Sequence, residues 1–335
     1  MTDRYLITGA TGFIGSHLVE ALLAQKIPAS HITLLVQPKA NLSNLPKLPF
    51  HITRGDIRDP RAVKEAIKGA SYVYHLAAVS GLQSDKDEDY LSVNVGGTKN
   101  VVDACKKNPL KKFVFFSSIA VYGLPAWVGD IINWDETKPH HFSEVYGQSK
   151  AEAENIVVEA HQQYDLPYVI IRPTSVYGPR DRGQLYGLYK AIYRQYFVMI
   201  GNGNNVLDMV FVNDIVDGAI HAAKNTSSAS DYILGATTPT KFKDIVRNIS
   251  RSTGRHMLPI TIPKSVALPL SVIVSHGCSM IGIHSPIFPS RVKVMTSSYF
   301  YNCQKAQREI AYAPQITFDK GADTTGKWYL THNWL

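Results

Sequence analysis

Disulfides, metal clusters, membrane spans and repeats all find little to build on in this chain of 335 residues. The three cysteines, Cys105, Cys278 and Cys303, stand far apart and without pattern. That usage points to a reducing compartment and excludes a disulfide framework or a zinc site. No Cys, Asp or Glu cluster surrounds His140-His141, which reads as a loop pair, and no metal is expected. The most apolar late stretch, Val266 to Val274, contains Pro269 and is too short to span a bilayer. It fits a buried helix near a substrate pocket better than one lying on a membrane surface. Lys and Arg exceed Asp and Glu by 35 to 27, a net charge of +8. They look scattered, in short pairs such as Lys106-Lys107 and Lys111-Lys112, so nucleic-acid binding has little support. Attraction of a phosphorylated cofactor or substrate remains. The first strand begins almost at Met1, so no signal peptide is expected and a cytoplasmic location follows.

The opening residues carry the strongest signal. A short apolar strand at Tyr5 to Ile7 runs into Gly9, Gly12 and Gly15, and an amphipathic helix follows to about Gln25. Strand, tight glycine turn and helix N-terminus make a site for a dinucleotide pyrophosphate: one glycine turns, one admits the phosphates, one lets helix and strand pack. First-turn N–H groups point at the anion.

Strands are expected at Arg4–Thr8, His31–Val36, Phe50–Thr53, Tyr72–Leu76, Lys112–Ser117 and Tyr168–Arg172. Helical patterns separate them near Gly15–Gln25, Arg61–Ile67, Tyr90–Lys107 and Val145–Gln163. This alternation predicts an α/β fold, a doubly wound parallel sheet of Rossmann type over residues 1–172. A strand at Met209–Val212 and a helix at Asp214–Ala223 mark late sheet elements within about 206–236. The rest of 173–335 is expected to form a smaller, interleaved substrate lobe.

Tyr146 and Lys150 lie four residues apart, on one helical face. A fixed cation near a phenol favours phenolate, lowering the tyrosine pKa towards working pH. Such a pair can take a proton from an alcohol or give one to a carbonyl. Tyr186/Lys190 and Tyr301/Lys305 share the spacing, but only Tyr146 follows a buried-type strand ending at Ser117-Ser118. Ser118 would face Tyr146 across a cleft and hold the substrate oxygen.

Taken together, several segments resemble the extended short-chain dehydrogenase/reductases of the NAD-dependent epimerase/dehydratase superfamily. They are Thr8-Gly-Ala-Thr-Gly-Phe-Ile-Gly15, Gly55-Asp-Ile57, His75-Leu-Ala-Ala78, Asn94-Val-Gly-Gly-Thr98, Ser117-Ser-Ile-Ala-Val-Tyr-Gly123, the Tyr146/Lys150 pair and Arg172-Pro-Thr-Ser-Val-Tyr-Gly-Pro-Arg180. The resemblance implies a catalytic Ser118, Tyr146 and Lys150, with Lys150 also on the nicotinamide ribose. It implies that Gly9, Thr11, Gly12, Phe13, Ile14 and Gly15 hold the cofactor phosphates and that Asp56 and Ile57 meet adenine. Leu76, Ala77 and Ala78 would line the cofactor path, and Pro173 to Ser175 would back the nicotinamide. A homodimer through the helices at Tyr90–Lys107 and Val145–Gln163 is usual for such proteins.

Departures narrow the branch. Sugar-nucleotide dehydratases carry an Asp-Glu pair after the catalytic hydroxyl residue; here stand Ile119 and Ala120, which cannot move a proton. Many nucleotide-sugar epimerases carry Asn where Thr174 stands, and Thr cannot supply the same paired donor and acceptor. Ile200 to Asp214 and the apolar stretch around Ile262–Val274 resemble the branch of 3β-hydroxysteroid dehydrogenases, sterol-4α-carboxylate 3-dehydrogenases and dihydroflavonol-reductase-like proteins. The expectation is an NAD(P)-dependent oxidoreductase acting on a secondary alcohol or ketone of an apolar, sterol-like substrate. The alternatives are a nucleotide-sugar 4-epimerase or reductase, and a non-catalytic cofactor sensor. At Leu35-Val-Gln-Pro-Lys39 no acid meets the adenosine ribose, which favours NADP through Lys39 over NAD held by Gln37. His75 is read as a strand-end residue without a proton role. Tyr122 and Tyr177 fit either pocket or core. Trp127 and Trp134 could cover the substrate, and Asp181 with Arg182 reads as an exposed ion pair.

Overall fold

Period-two alternation decides how the strands pack, because successive side chains leave a strand on opposite faces. In β1 (Tyr5–Thr8) Tyr5 and Ile7 enter one core and Leu6 the other; in β5 (Lys112–Phe116) Val114 and Phe116 part from Phe113 and Phe115 in the same way. Both faces are thus covered, as continuously apolar parallel strands require. The structure, a computed structural model, describes residues 2–80, 86–123, 132–142, 144–226, 228–256, 260–280, 292 and 296–335.

The other strands of this sheet are β2 (Ile32–Val36), β3 (His51–Arg54), β4 (Tyr72–His75), β6 (Tyr168–Pro173) and β7 (Ala229–Leu234). All seven are parallel, in the order β3-β2-β1-β4-β5-β6-β7. The order reverses between β1 and β4, and there the carboxyl ends open a crevice for a ligand. Helix α1 (Phe13–Ala24) and the Val212–Asn225 helix pack together. Helix α3 (residues 87–105) packs on both helix α2 (Pro60–Ala66) and helix α4 (Val145–Tyr164). Helix α3 runs continuously through Asp87–Asp89, Tyr90–Gly97 and Thr98–Cys105, and its middle segment is π-helical.

Three expectations shift. Helix α1 starts at Phe13, so its first turn begins directly after Gly12. The strand expected at Met209–Val212 spans Met209–Phe211 and pairs outside the main sheet, in parallel with Ser175–Tyr177. The seventh strand was not read from the sequence. Polar Ser230 and Asp231 interrupt its apolar run, and Asp231 is there to meet Arg172 at 2.5 Å and Lys305 at 2.7 Å.

Candidate active site

The glycine turn is shaped for a flat ligand. Gly9 has φ +73°, a conformation side chains rarely adopt, and a Cβ there would lie 2.7 Å from the Ala77 nitrogen. A Cβ on Gly15 would strike the Gly9 carbonyl, so α1 can lie this close to β1 only with glycine there. Gly12 is exposed and caps α1 with no side-chain hydrogen bond, leaving first-turn amides for an external acceptor. Thr11, Phe13 and Ile14 are half-buried beside it. Leu76, Ala77 and Ala78, also half-buried, flank the turn, and the Ala77 amide donates to Thr8 Oγ1 at 3.1 Å. These residues fit a dinucleotide: an open backbone cradle, an anion-binding helix end and an apolar flank.

The adenosine end is more polar than expected. The Asp56 carboxylate accepts from Arg58 Nη2 at 2.8 Å and from its backbone N–H at 2.8 Å, and this pairing pulls its pKa down. Ile57 is buried under Gly97. Gln37 and Lys39 are exposed just beyond β2, and Arg54, in register with Val36, reaches over to the Pro38 carbonyl at 2.9 Å. Sequence reading missed Arg54; only the β2–β3 register brings it here.

The triad meets at the carboxyl end of β5. Ser118 is extended, accepts from the Ala120 amide at 3.1 Å, and is close enough to Tyr146 to favour its ionised form. Lys150 donates to the Phe116 carbonyl at 2.6 Å and lies 4.7 Å from the centre of the Phe115 ring. Burial lowers its pKa to about 8, although Glu154 one turn on opposes that shift. The lowered tyrosine pKa expected from Lys150 is not found. Burial raises the Tyr146 phenol, Ser118 opposes the rise, and the Tyr90 ring, edge-on at 6.2 Å, adds to it. Desolvation of the phenolate outweighs the cation, which is held at a backbone carbonyl.

A relay of hydrogen bonds positions this helix. Thr98 donates its one hydroxyl proton to the Asn94 carbonyl at 2.5 Å and so accepts from His75 Nε2 at 3.0 Å; Nδ1 of the neutral ring then accepts from Thr8 Oγ1 at 2.7 Å, which also accepts from the Ala77 amide. Burial drives the His75 pKa to about 3, so the ring is neutral and acts as a strut. Asn94 grips Val79 through both its N–H and its carbonyl and donates to Ser149, whose hydroxyl donates to the Tyr146 carbonyl. Asn94 was visible only inside a motif; its bracing role depends on the fold.

Beneath the site, Arg172 makes two bonds to Glu154, at 3.0 and 2.7 Å, and one to Tyr122 at 2.9 Å. Burial alone would raise the Glu154 carboxyl, but His140 and Arg172 hold it at about 2. His140 is therefore part of this network, 3.2 Å from Glu154, and not a bare loop residue. Tyr122 and Tyr177 are fully buried core residues. Trp134 packs on Tyr122 and Tyr301, 6.2 and 6.3 Å between ring centres, and stabilises the lobe. Trp127 lies outside the described residues. The exposed ion pair expected of Asp181 and Arg182 is absent: Asp181 is buried and accepts from Gly183 N at 2.7 Å, while Arg182 stacks on Trp334. Pro173 is buried; Ser175 is half-buried, 3.5 Å from the Tyr299 hydroxyl. Thr174 donates to buried Asp208 at 2.9 Å, joining the end of β6 to the segment after Leu207.

A profile of the NAD dependent epimerase/dehydratase family matches residues 5–235. The chain belongs to this family. Over 340 residues it is 30% identical to the N-acetyl-alpha-D-glucosaminyl-diphospho-ditrans,octacis-undecaprenol 4-epimerase of Escherichia coli O157:H7, covering 99% of this chain and 97% of that protein. It is 29% identical over 349 residues to the decarboxylating sterol-4-alpha-carboxylate 3-dehydrogenase of Saccharomyces cerevisiae, covering 97% of each. The crystal structure of gox2253 superimposes with a TM-score of 0.82 at 26% identity and 99% coverage of both chains. This family member is an oxidoreductase of the NAD-dependent epimerase/dehydratase type, of extended short-chain dehydrogenase/reductase pattern.

Proposed function

We propose that the protein moves a hydride between a nicotinamide and the carbon of a secondary alcohol or ketone in an apolar substrate, with Tyr146 as general acid and base. What supports the reading is Ser118 beside Tyr146 at the end of β5, with Lys150 one turn on and an open glycine cradle alongside. The bound nicotinamide supplies or takes the hydride. Tyr146 holds the proton that goes to, or comes from, the substrate oxygen. Ser118 orients that oxygen and stabilises its developing charge. Lys150, which donates to the Phe116 carbonyl, would hold the nicotinamide ribose and tune the phenol. Ile119 and Ala120 offer no group for water elimination. Thr174 gives its hydroxyl proton to Asp208, which supports this reading over a sugar-binding one.

A second reading, 4-epimerisation of a sugar, draws on the 30% identity to the undecaprenol-linked epimerase. Both readings begin with oxidation of an alcohol, and they part at the second step. With NAD(P) and a panel of sterol-like alcohols and diphospho-sugars, the dehydrogenase reading expects reduced cofactor to accumulate stoichiometrically with ketone. Inversion at carbon without net reduced cofactor would establish the epimerase instead.

We further propose NADP as the favoured cofactor, held at its 2′-phosphate by Lys39 with Arg54 alongside. Lys39→Glu is expected to raise the KM for NADP about tenfold and leave that for NAD unchanged. Equal effects on both, measured side by side, would remove the residue from cofactor choice. Residues 1–172 with 206–236 form the cofactor unit in this reading, and the remainder of 173–335 shapes the substrate side. A cytoplasmic homodimer through α3 and α4 completes it, testable by sedimentation.

A further inference from the structure

The Lys264–Met280 helix departs from the buried position expected of it. Val266, Leu270 and Ile273, at i, i+4 and i+7, share a face and are 52%, 40% and 69% exposed, while Ala267 and Ser271 on the opposite side are buried. Val272 and, just ahead of the helix, Ile260 add exposures of 50% and 49%. The face therefore presents its apolar side outward, the reverse of an ordinary surface helix.

Charge says what covers it. Between Ile245 and Arg308 the sequence holds eight Lys and Arg and no Asp or Glu; Arg247 and Lys305 pair with Asp244 and Asp231, and the cations beside the helix are Arg255 and Lys264. Lys264 opens the helix, and exposed Arg255 precedes it, over the Tyr193 ring. The strand Thr261–Ile262 pairs with Met199–Ile200, bringing in the exposed Arg194 and Tyr196 from the far side. An outward apolar ridge bordered by cations and an aromatic suits an anionic interface, where apolar side chains enter the acyl boundary and cations meet headgroups. No helix among the described residues is long and apolar enough to cross a membrane, so the contact is a surface one.

We infer that the Lys264–Met280 helix and Ile260 form a docking face for the surface of an anionic lipid bilayer. The face stands independently of the substrate assigned to the active site.

Full-length protein is sedimented with vesicles of phosphatidylcholine alone and with about 30 mol % phosphatidylglycerol. Binding to the anionic vesicles about tenfold tighter than to the neutral ones, and weakened by salt, is expected. Leu270→Asp with Ile273→Asp, or the paired Ser substitutions where Asp lowers the melting temperature, should cost about tenfold in vesicle affinity at unchanged cofactor binding. Arg255→Glu with Lys264→Glu should abolish the preference for anionic lipid. No binding, equal binding to both vesicles, or binding indifferent to the apolar pair overturns the inference. So does a wild-type dimer that the apolar pair converts to monomer, since a second copy then covers the ridge.

Discussion

Tyr146→Phe is expected to lower turnover by about 10³-fold, the scale of a lost general acid–base group, and to leave cofactor affinity and folding nearly intact. The ring keeps its edge contact with Tyr90 and loses only a hydroxyl beside Ser118, a cost of about 1 kcal/mol. Fluorescence titration with reduced cofactor and single-turnover kinetics separate the two effects. Retained turnover would remove Tyr146 from the chemistry. The pH dependence follows from burial. The phenol's pKa is raised, so it is protonated at neutral pH and ready to donate in reduction; oxidation needs it deprotonated and speeds up as pH rises. Lys150 titrates near 8 because burial disfavours its charge. If the ammonium holds the ribose, the bound state favours the protonated form. Cofactor affinity is then steady at low pH and falls as pH climbs through about 8. Lys150→Met should bind more weakly and lose that slope. An unchanged slope would place the titration elsewhere.

Local pattern made the centre of this site legible, and long-range pairing hid its supports. Gly9, Gly12 and Gly15 mark a turn within a few residues, and Phe113 to Phe116 announce a strand buried on both faces. Tyr146 and Lys150 share a helix, so spacing alone joins them. The tyrosine's pKa could not be read from that spacing, because its sign depends on burial and on where the Lys150 ammonium rests. Arg54 becomes visible only once β2 and β3 are in register. The Lys264–Met280 segment shows the opposite limit: composition reveals an apolar helix but not which side of it meets the core.

Arg172→Leu is expected to destabilise the fold by about 3–5 kcal/mol, because it strands charges in a dry site. Glu154 is 2% and Arg172 6% exposed at the side chain, so water cannot replace the lost partner. Asp231 suffers less, since Lys305 still meets it at 2.7 Å. For a chain of this size the loss corresponds to a melting temperature lower by roughly 5 °C. Acid should narrow the gap. In the wild type Glu154 is held at about 2, below its usual 4.5, so its stabilisation is complete above 4.5 and is lost as pH falls towards 2. In the variant the carboxyl loses its main partner, protonates more readily and ceases to be a buried charge. The two proteins should therefore converge below about pH 4. Arg172→Leu combined with Glu154→Leu should recover much of the stability at neutral pH, since an apolar pair leaves no charge uncompensated. A neutral-pH deficit as large in the double variant would trace the loss to packing of β6 against α4. Because Glu154 lies one turn beyond Lys150, loosening this anchor also slackens the catalytic helix. Turnover in Arg172→Leu should fall well short of the Tyr146→Phe loss and return with the double substitution, which separates support of the site from participation in its chemistry.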